Sequence, residues 1–172
     1  STPILNRVVF DTNVVFDLLH FDDATAQPLL QALEAGRVRS VVTDATLEEW
    51  QRVLGYPEFA LDPAQQLALF ERYRSLSEAV PVAAVTGLPR KGTPIHFGLK
   101  PVWSRMPRCS DPDDQKFIDL AAAAAAHALV SKDRAVLKLR RRCAPVFRIM
   151  TPAEAVRWLD TPDFSRQPAT GT

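Results

Sequence analysis

Cysteine, histidine and glycine are scarce in this chain, and each shortage removes a class of chemistry. Cys109 and Cys143 are the only cysteines, far apart and without Cys-x-x-Cys or Cys/His spacing. A zinc site or disulfide framework therefore lacks support, and a reducing cytoplasm is the expected location. His20, His96 and His127 also show no ligand spacing; His127 falls at the expected end of an apolar helix, where packing or a helix-dipole contact suits it better than catalysis. No glycine-rich turn follows the first strand-like run, which argues against dinucleotide binding. Apolar runs stay well short of the roughly 18 residues that span a bilayer, so no membrane association is expected. The opening Ser1-Thr2-Pro3-Ile4-Leu5-Asn6-Arg7 enters a strand pattern at once and lacks a signal-peptide layout.

Net charge is only +1, so overall charge does not announce a polyanion as partner. Its distribution is more informative. Between Thr86 and Ser110 stand Arg90, Lys91, Lys100, Arg105 and Arg108, with no acid among them. Lys138, Arg140, Arg141 and Arg142 form a second basic run, while the acids gather within 11–23 and 111–119. Such segregation presents a local field in a nearly neutral protein. With 172 residues, 47% of them apolar, the chain is suited to one domain with a substantial core. We expect that domain over 1–160, with a basic loop inserted at about 86–110 and a flexible tail at 161–172.

Arg7 to Phe10 reads as a buried strand, because its apolar run is β-branched and does not alternate. Helices are expected over Asn13–Leu19 and Ala24–Ala35, then a strand over Arg39–Val42. Thr43 caps a helix through Leu54, and Asp62-Pro63-Ala64-Gln65 has the layout of a capping box opening a helix to about Ser77. Thr151-Pro152-Ala153-Glu154 repeats that layout before a helix to Leu159. Asp111-Pro112-Asp113-Asp114 opens a helix through the Ala121–Ala126 run to His127, and Ala135–Leu139 forms a short one. Val80–Val85, Ala128–Val130 and Val146–Ile149 are the remaining strands. Strands alternating with helices predict an α/β fold: a three-layer α/β/α arrangement around a central, mainly parallel sheet.

On such a sheet, ligands bind along the edge formed by the strand carboxyl ends. Asp11 and Asp133 follow strands directly, and Glu49 and Asp114 stand near helix starts, so all four can converge there. Four gathered carboxylates repel unless a cation sits among them, and hard oxygen donors suit Mg²⁺ or Mn²⁺. A cation so held supports hydrolysis of a phosphodiester by activating water. Each acid also has an ordinary structural reading. Asp11 and Asp133 suit helix N-caps, Asp114 complements a helix dipole, and Glu49 resembles its exposed neighbour Glu48. Asp111 is assigned to capping and Asp113 to a solvated face.

Four segments in order resemble the PIN-domain nucleases. These are Val8-Val9-Phe10-Asp11-Thr12-Asn13-Val14, Thr43–Leu54 with Glu49 four residues before the closing Val53-Leu54 in the family register, Asp111–Ala121, and Leu129-Val130-Ser131-Lys132-Asp133. The resemblance covers about 7–150 and is nearest to toxin components of bacterial type II toxin–antitoxin pairs. It implies that Asp11, Glu49, Asp114 and Asp133 hold Mg²⁺ or Mn²⁺ and carry catalysis. Asn13 would orient Asp11 or a bound water through its amide, with Ser131, Thr43 and Asp119 in supporting roles. It further implies an endoribonuclease of single-stranded RNA, a cognate antitoxin and a homodimer. The family's further acid two residues after the fourth is Ala135 here, and the 86–110 stretch elaborates the small family core.

Arg90, Lys91, Lys100, Trp103, Arg105 and Arg108, with Phe97, have the mix of cations and rings that grips single-stranded RNA; a mobile basic loop with Trp103 packed down is the plain alternative. The apolar stripes of Ala24–Ala35 and Asp62–Ser77 suit core, a dimer face or an antitoxin groove. The competing function is a catalytically silent PIN-like module that binds RNA or protein. An aspartyl phosphatase would need an acid where Asn13 stands.

Overall fold

Val8-Val9-Phe10 does form a strand, and it is the central one. The computed structural model describes residues 6–21, 23–81 and 106–161. In it β1 (Asn6–Phe10) lies between β2 (Val38–Val42) and β4 (Ala128–Val130). β3 (Ser77–Ala79) and β5 (Arg148–Met150) flank these, giving the order β3-β2-β1-β4-β5 with every pairing parallel. Phe10, Val130 and Met150 stand abreast in the register, so three strands finish at one edge.

Successive strand residues point to opposite faces, and both faces here are apolar. Val8, Phe10, Val38, Val42, Ala128, Val130 and Met150 pack on one side. There they meet α1 (Thr12–Leu19), α2 (Gln27–Glu34), α3 (Asp44–Leu54), α4 (Pro63–Ser75) and the last helix, α8 (Pro152–Leu159). Val9, Val41, Leu129 and Ile149 face α5 (Gln115–Ala123), α6 (Arg134–Leu137) and α7 (Arg140–Cys143). Coverage on both sides explains why the strand sequences do not alternate. The architecture is thus the expected three-layer α/β/α fold. No helix among the described residues is long and apolar enough to cross a membrane.

Capping boxes form at Thr43, Asp62 and Thr151, where the partners three residues on are Thr46, Gln65 and Glu154. Other boundaries depart from expectation. α2 starts at Gln27 rather than Ala24, because Asp23 and Ala26 first close a turn. α4 stops at Ser75 and the third strand begins at Ser77, earlier than the expected Val80–Val85; Val80 donates to the Val42 carbonyl at 2.8 Å, and 82–85 lie outside the described residues. β5 lies two residues beyond the start expected at Val146.

The alanine run also fails to stay helical. α5 ends at Ala123, and Ala125 takes a left-handed conformation with φ 51°. The chain must turn there to deliver β4, and pairing with β1 overrides the helix preference of alanine. His127 consequently leaves the helix: its amide donates to the Arg7 carbonyl at 2.8 Å, and its Nδ1 accepts from the Arg7 amide at 3.3 Å.

Phe16 anchors the α1 layer at 2% exposure, stacked on Phe59 at 4.3 Å and edge-on to Trp50 at 4.7 Å. Truncating a packed phenylalanine costs about 3–5 kcal/mol, so Phe16→Ala should lower urea-melt stability by that order. Leu67→Ala, at a residue 61% exposed, should change it by less than about 0.5 kcal/mol. Equal effects would refute this assignment of the core.

Candidate metal centre

Asp11 and Asp133 reach the sheet edge as helix caps that follow strands, and Asp114 reaches it from a 3-10 turn. Asp11 continues β1: its amide donates to the Val130 carbonyl at 3.0 Å before the chain turns into α1. It therefore caps α1, accepting from the Asn13 amide at 3.4 Å, while its second oxygen accepts from the Ser131 hydroxyl at 2.8 Å. Ser131 is wholly buried just after β4, and its hydroxyl oxygen also accepts from the Asp133 amide at 3.0 Å. Asp133 in turn caps α6 through Ala135 at 2.7 Å. Capping engages one oxygen of a carboxylate, so it is compatible with a second task for the other.

Asp114 ends a single 3-10 turn, Pro112–Asp114, and is 8% exposed. Its Oδ2 is buried and makes no hydrogen bond. Asp111, Asp114 and Asp133 each present an oxygen within 4.8 Å of the others. A buried carboxylate oxygen without a donor, facing two further carboxylates, is the arrangement a divalent cation relieves. The donors are all hard oxygens, which fits Mg²⁺ or Mn²⁺.

The electrostatics report the same crowding. Burial, reinforced by Asp11, Asp133 and Asp111, pushes the Asp114 carboxyl up to about 8. Burial also raises Asp11; hydrogen bonds from Ser131 and Asn13 oppose this, and the charges of Glu49 and Asp133 add to it. Glu49 stands apart from the three-aspartate group. Its Oε1 pairs with Lys116 Nζ at 2.7 Å, and its Oε2 accepts from the Thr12 hydroxyl.

The supporting residues occupy varied positions. Asn13 holds Asp11 through its main-chain amide, and its side chain is exposed. The Thr43 hydroxyl accepts from the Thr46 amide at 3.2 Å and caps α3. Asp119 accepts from Gln115 Nε2 at 3.0 Å, while Gln115 also binds the Pro107 carbonyl and the Cys109 amide. Asp119 thus braces the segment leading into the site. Arg108 is exposed, and Arg90, Lys91, Lys100, Trp103 and Arg105 lie outside the described residues.

Asp111, Lys116 and Thr12 join the site without having been expected there. The capping pattern Asp-Pro-x-x accounts for Asp111 locally, since its Oδ1 accepts from the Asp113 amide at 3.0 Å. Lys116 and Thr12 lie far from Glu49 in sequence and carry no motif. A further ion pair, Lys132 to the buried Asp17 at 2.5 Å, ties the Asp133 loop to α1.

A family model described as PIN domain matches residues 7–135, and the chain belongs to that family. PIN domains are generally nucleases and typically use a divalent metal. Among solved structures the chain is similar to the crystal structure of VapBC2 from Rickettsia felis bound to a DNA fragment from their promoter. The TM-score is 0.51 at 16% identity, over 84% of this chain and 98% of that one. That likeness is one of fold. No curated protein sequence matches the chain.

A carboxyl raised by folding binds its proton more tightly in the native state, so stability falls as pH rises from its ordinary value of 3.8 towards about 8. The cation-free melting temperature should therefore drop from about pH 5 to about pH 8. Added Mn²⁺ should raise it more at the higher pH, because binding at the lower must displace protons. A cation effect that is equal at both, or greater in acid, would contradict the site.

Proposed function

We propose that this protein is a Mg²⁺- or Mn²⁺-dependent endoribonuclease that hydrolyses single-stranded RNA, acting as the toxin of a toxin–antitoxin pair. The observation that carries the nuclease reading is the unpartnered Asp114 oxygen, set among Asp111, Asp133 and Asp11 on a PIN-family sheet edge. Asp11, Asp114 and Asp133 hold the ion, with Glu49 at its margin and Asp111 offering a further oxygen. A cation bound there neutralises phosphodiester charge and lowers the pKa of a coordinated water. The protein's own part is orientation. Ser131 fixes the Asp11 carboxylate and the Asp133 turn together, while Thr12 and Lys116 fix Glu49.

The toxin role is supported by the likeness in fold to VapBC2, a toxin–antitoxin complex. It brings an antitoxin and a second copy of the chain as partners, in the cytoplasm. The basic 86–110 segment is assigned to RNA, through Arg90, Lys91, Lys100, Trp103, Arg105 and Arg108.

The test is cleavage of defined single-stranded RNA with Mn²⁺ and with EDTA. Wild type should cleave only with the cation. Asp11→Asn should fall to background while keeping its circular dichroism spectrum. Ser131→Ala should need about 10–100-fold more Mn²⁺. Full cleavage in EDTA, or by contaminant-free Asp11→Asn, would overturn the mechanism; binding without cleavage under any cation would favour the silent module.

A further inference from the structure

A groove of about 520 Å³ runs along β5, the edge strand among the described residues, between α7 and α8, and is lined by Arg140, Arg141, Arg148 and Arg157 with Glu154 as its acid. Arg140 is committed: its guanidinium donates to both oxygens of Glu154, at 3.1 and 3.2 Å, and Glu154 completes the Thr151 capping box. Arg141, Arg148 and Arg157 are exposed and have no acidic partner among the described residues. Three uncompensated guanidiniums around one concavity repel one another, and a polyanion relieves that repulsion.

The groove is built on β5, the neighbour of the strand that leads into Ser131 and Asp133. Met150, part of its lining, accepts from the Ser131 amide at 3.0 Å, and the Ser131 hydroxyl holds Asp11. Phe10, Val130 and Met150 are abreast, so the edge strand lies about 10 Å from β1, and Arg148 about 7 Å further down it. The gathered aspartates Asp11, Asp111, Asp114 and Asp133 repel phosphates even when a divalent ion offsets part of their charge. The nearest lysines are already engaged, Lys116 by Glu49 and Lys132 by Asp17. Cations outside the acidic group are needed to hold the substrate, and the groove supplies three beside the exposed Arg108 and Arg134. Guanidiniums match phosphate oxygens in a two-point geometry.

Resting on the nuclease reading, we infer that this arginine groove is a substrate-flank site, gripping the phosphates of single-stranded RNA as the chain leaves the acidic centre. Arg141, Arg148 and Arg157 make the contacts, and the Arg140–Glu154 pair shapes the wall between α7 and α8. Recognition is of backbone charge and carries no base preference.

The experiment is fluorescence anisotropy of a labelled oligouridylate of about twelve nucleotides, binding the full chain in EDTA across a salt series. Arg148→Ala/Arg157→Ala should weaken binding by about tenfold or more near physiological salt. It should also reduce the slope of log K against log salt by about 1.4, since each single-strand phosphate contact carries about 0.7. Arg148→Lys/Arg157→Lys should keep most of the slope, which separates charge loss from misfolding. Arg72→Ala/Arg74→Ala, an equal charge change on α4, should bind like wild type. Two results overturn the groove while wild-type cleavage leaves the nuclease reading intact: unchanged slope in Arg148→Ala/Arg157→Ala, or the same loss in the α4 control. A polyglutamate peptide that displaces the RNA at equal charge concentration would assign the groove to an acidic protein instead. Wild type that binds through these arginines yet cleaves with no cation would sink the nuclease reading and leave the groove standing.

Discussion

Carboxylates do not gather of their own accord, and in this protein the geometry of parallel strands makes them do so. β1, β4 and β5 end side by side, and the residues that follow them have nowhere to go but the same edge. Asp11 and Asp133 arrive by this route, and Asp114 is brought across from the helix that covers the opposite face. The resulting repulsion is a cost of folding that hydrogen bonds offset only in part. Asp11 is relieved by Ser131 and Asn13, whereas Asp114 keeps one buried oxygen with nothing to accept from. The interior accommodates the cluster most readily with a cation present.

The surroundings make sense in that light. Ser131, at the end of β4, ties Asp11 to the Asp133 turn, so two acids from different strands move as one unit. Lys132, next to it, grips Asp17 and locks the same turn to α1. The second face contributes Gln115 and Asp119, which hold the chain near Cys109 and thereby the Asp111–Asp114 turn. Rigidity at the centre thus descends from ordinary packing, since α1 and α5 are both buried on their sheet-facing sides.

Much of this was legible from residue order alone. β1 announced itself as a β-branched apolar run, and Thr43, Asp62 and Thr151 announced helix starts, because those signals are local. The four family segments carry Asp11, Glu49, Asp114 and Asp133, of which the structure gathers the three aspartates while Glu49 stands beside Lys116. What stayed hidden is tertiary. β3 is Ser-Glu-Ala, a triplet with little strand character, and exists because Val42 offers it a partner. The helix through the alanine run ends at Ala123 for the sake of a strand five residues on. Lys116 meets Glu49 across 67 positions of sequence, and no periodicity encodes that meeting. Asp111 was hidden differently: one satisfactory explanation, the cap, concealed a second.

The engagement of Glu49 on both oxygens bears on how many ions the centre accommodates. The three aspartates offer their oxygens at once, to an ion that displaces no other cation. Glu49 is different, because an ammonium group already sits on it and a hydroxyl holds its other oxygen. A second ion drawn to Glu49 would have to evict Lys116 rather than enter a vacancy. Double occupancy would then be an exchange of one cation for another, with a lysine counting as much as the acids.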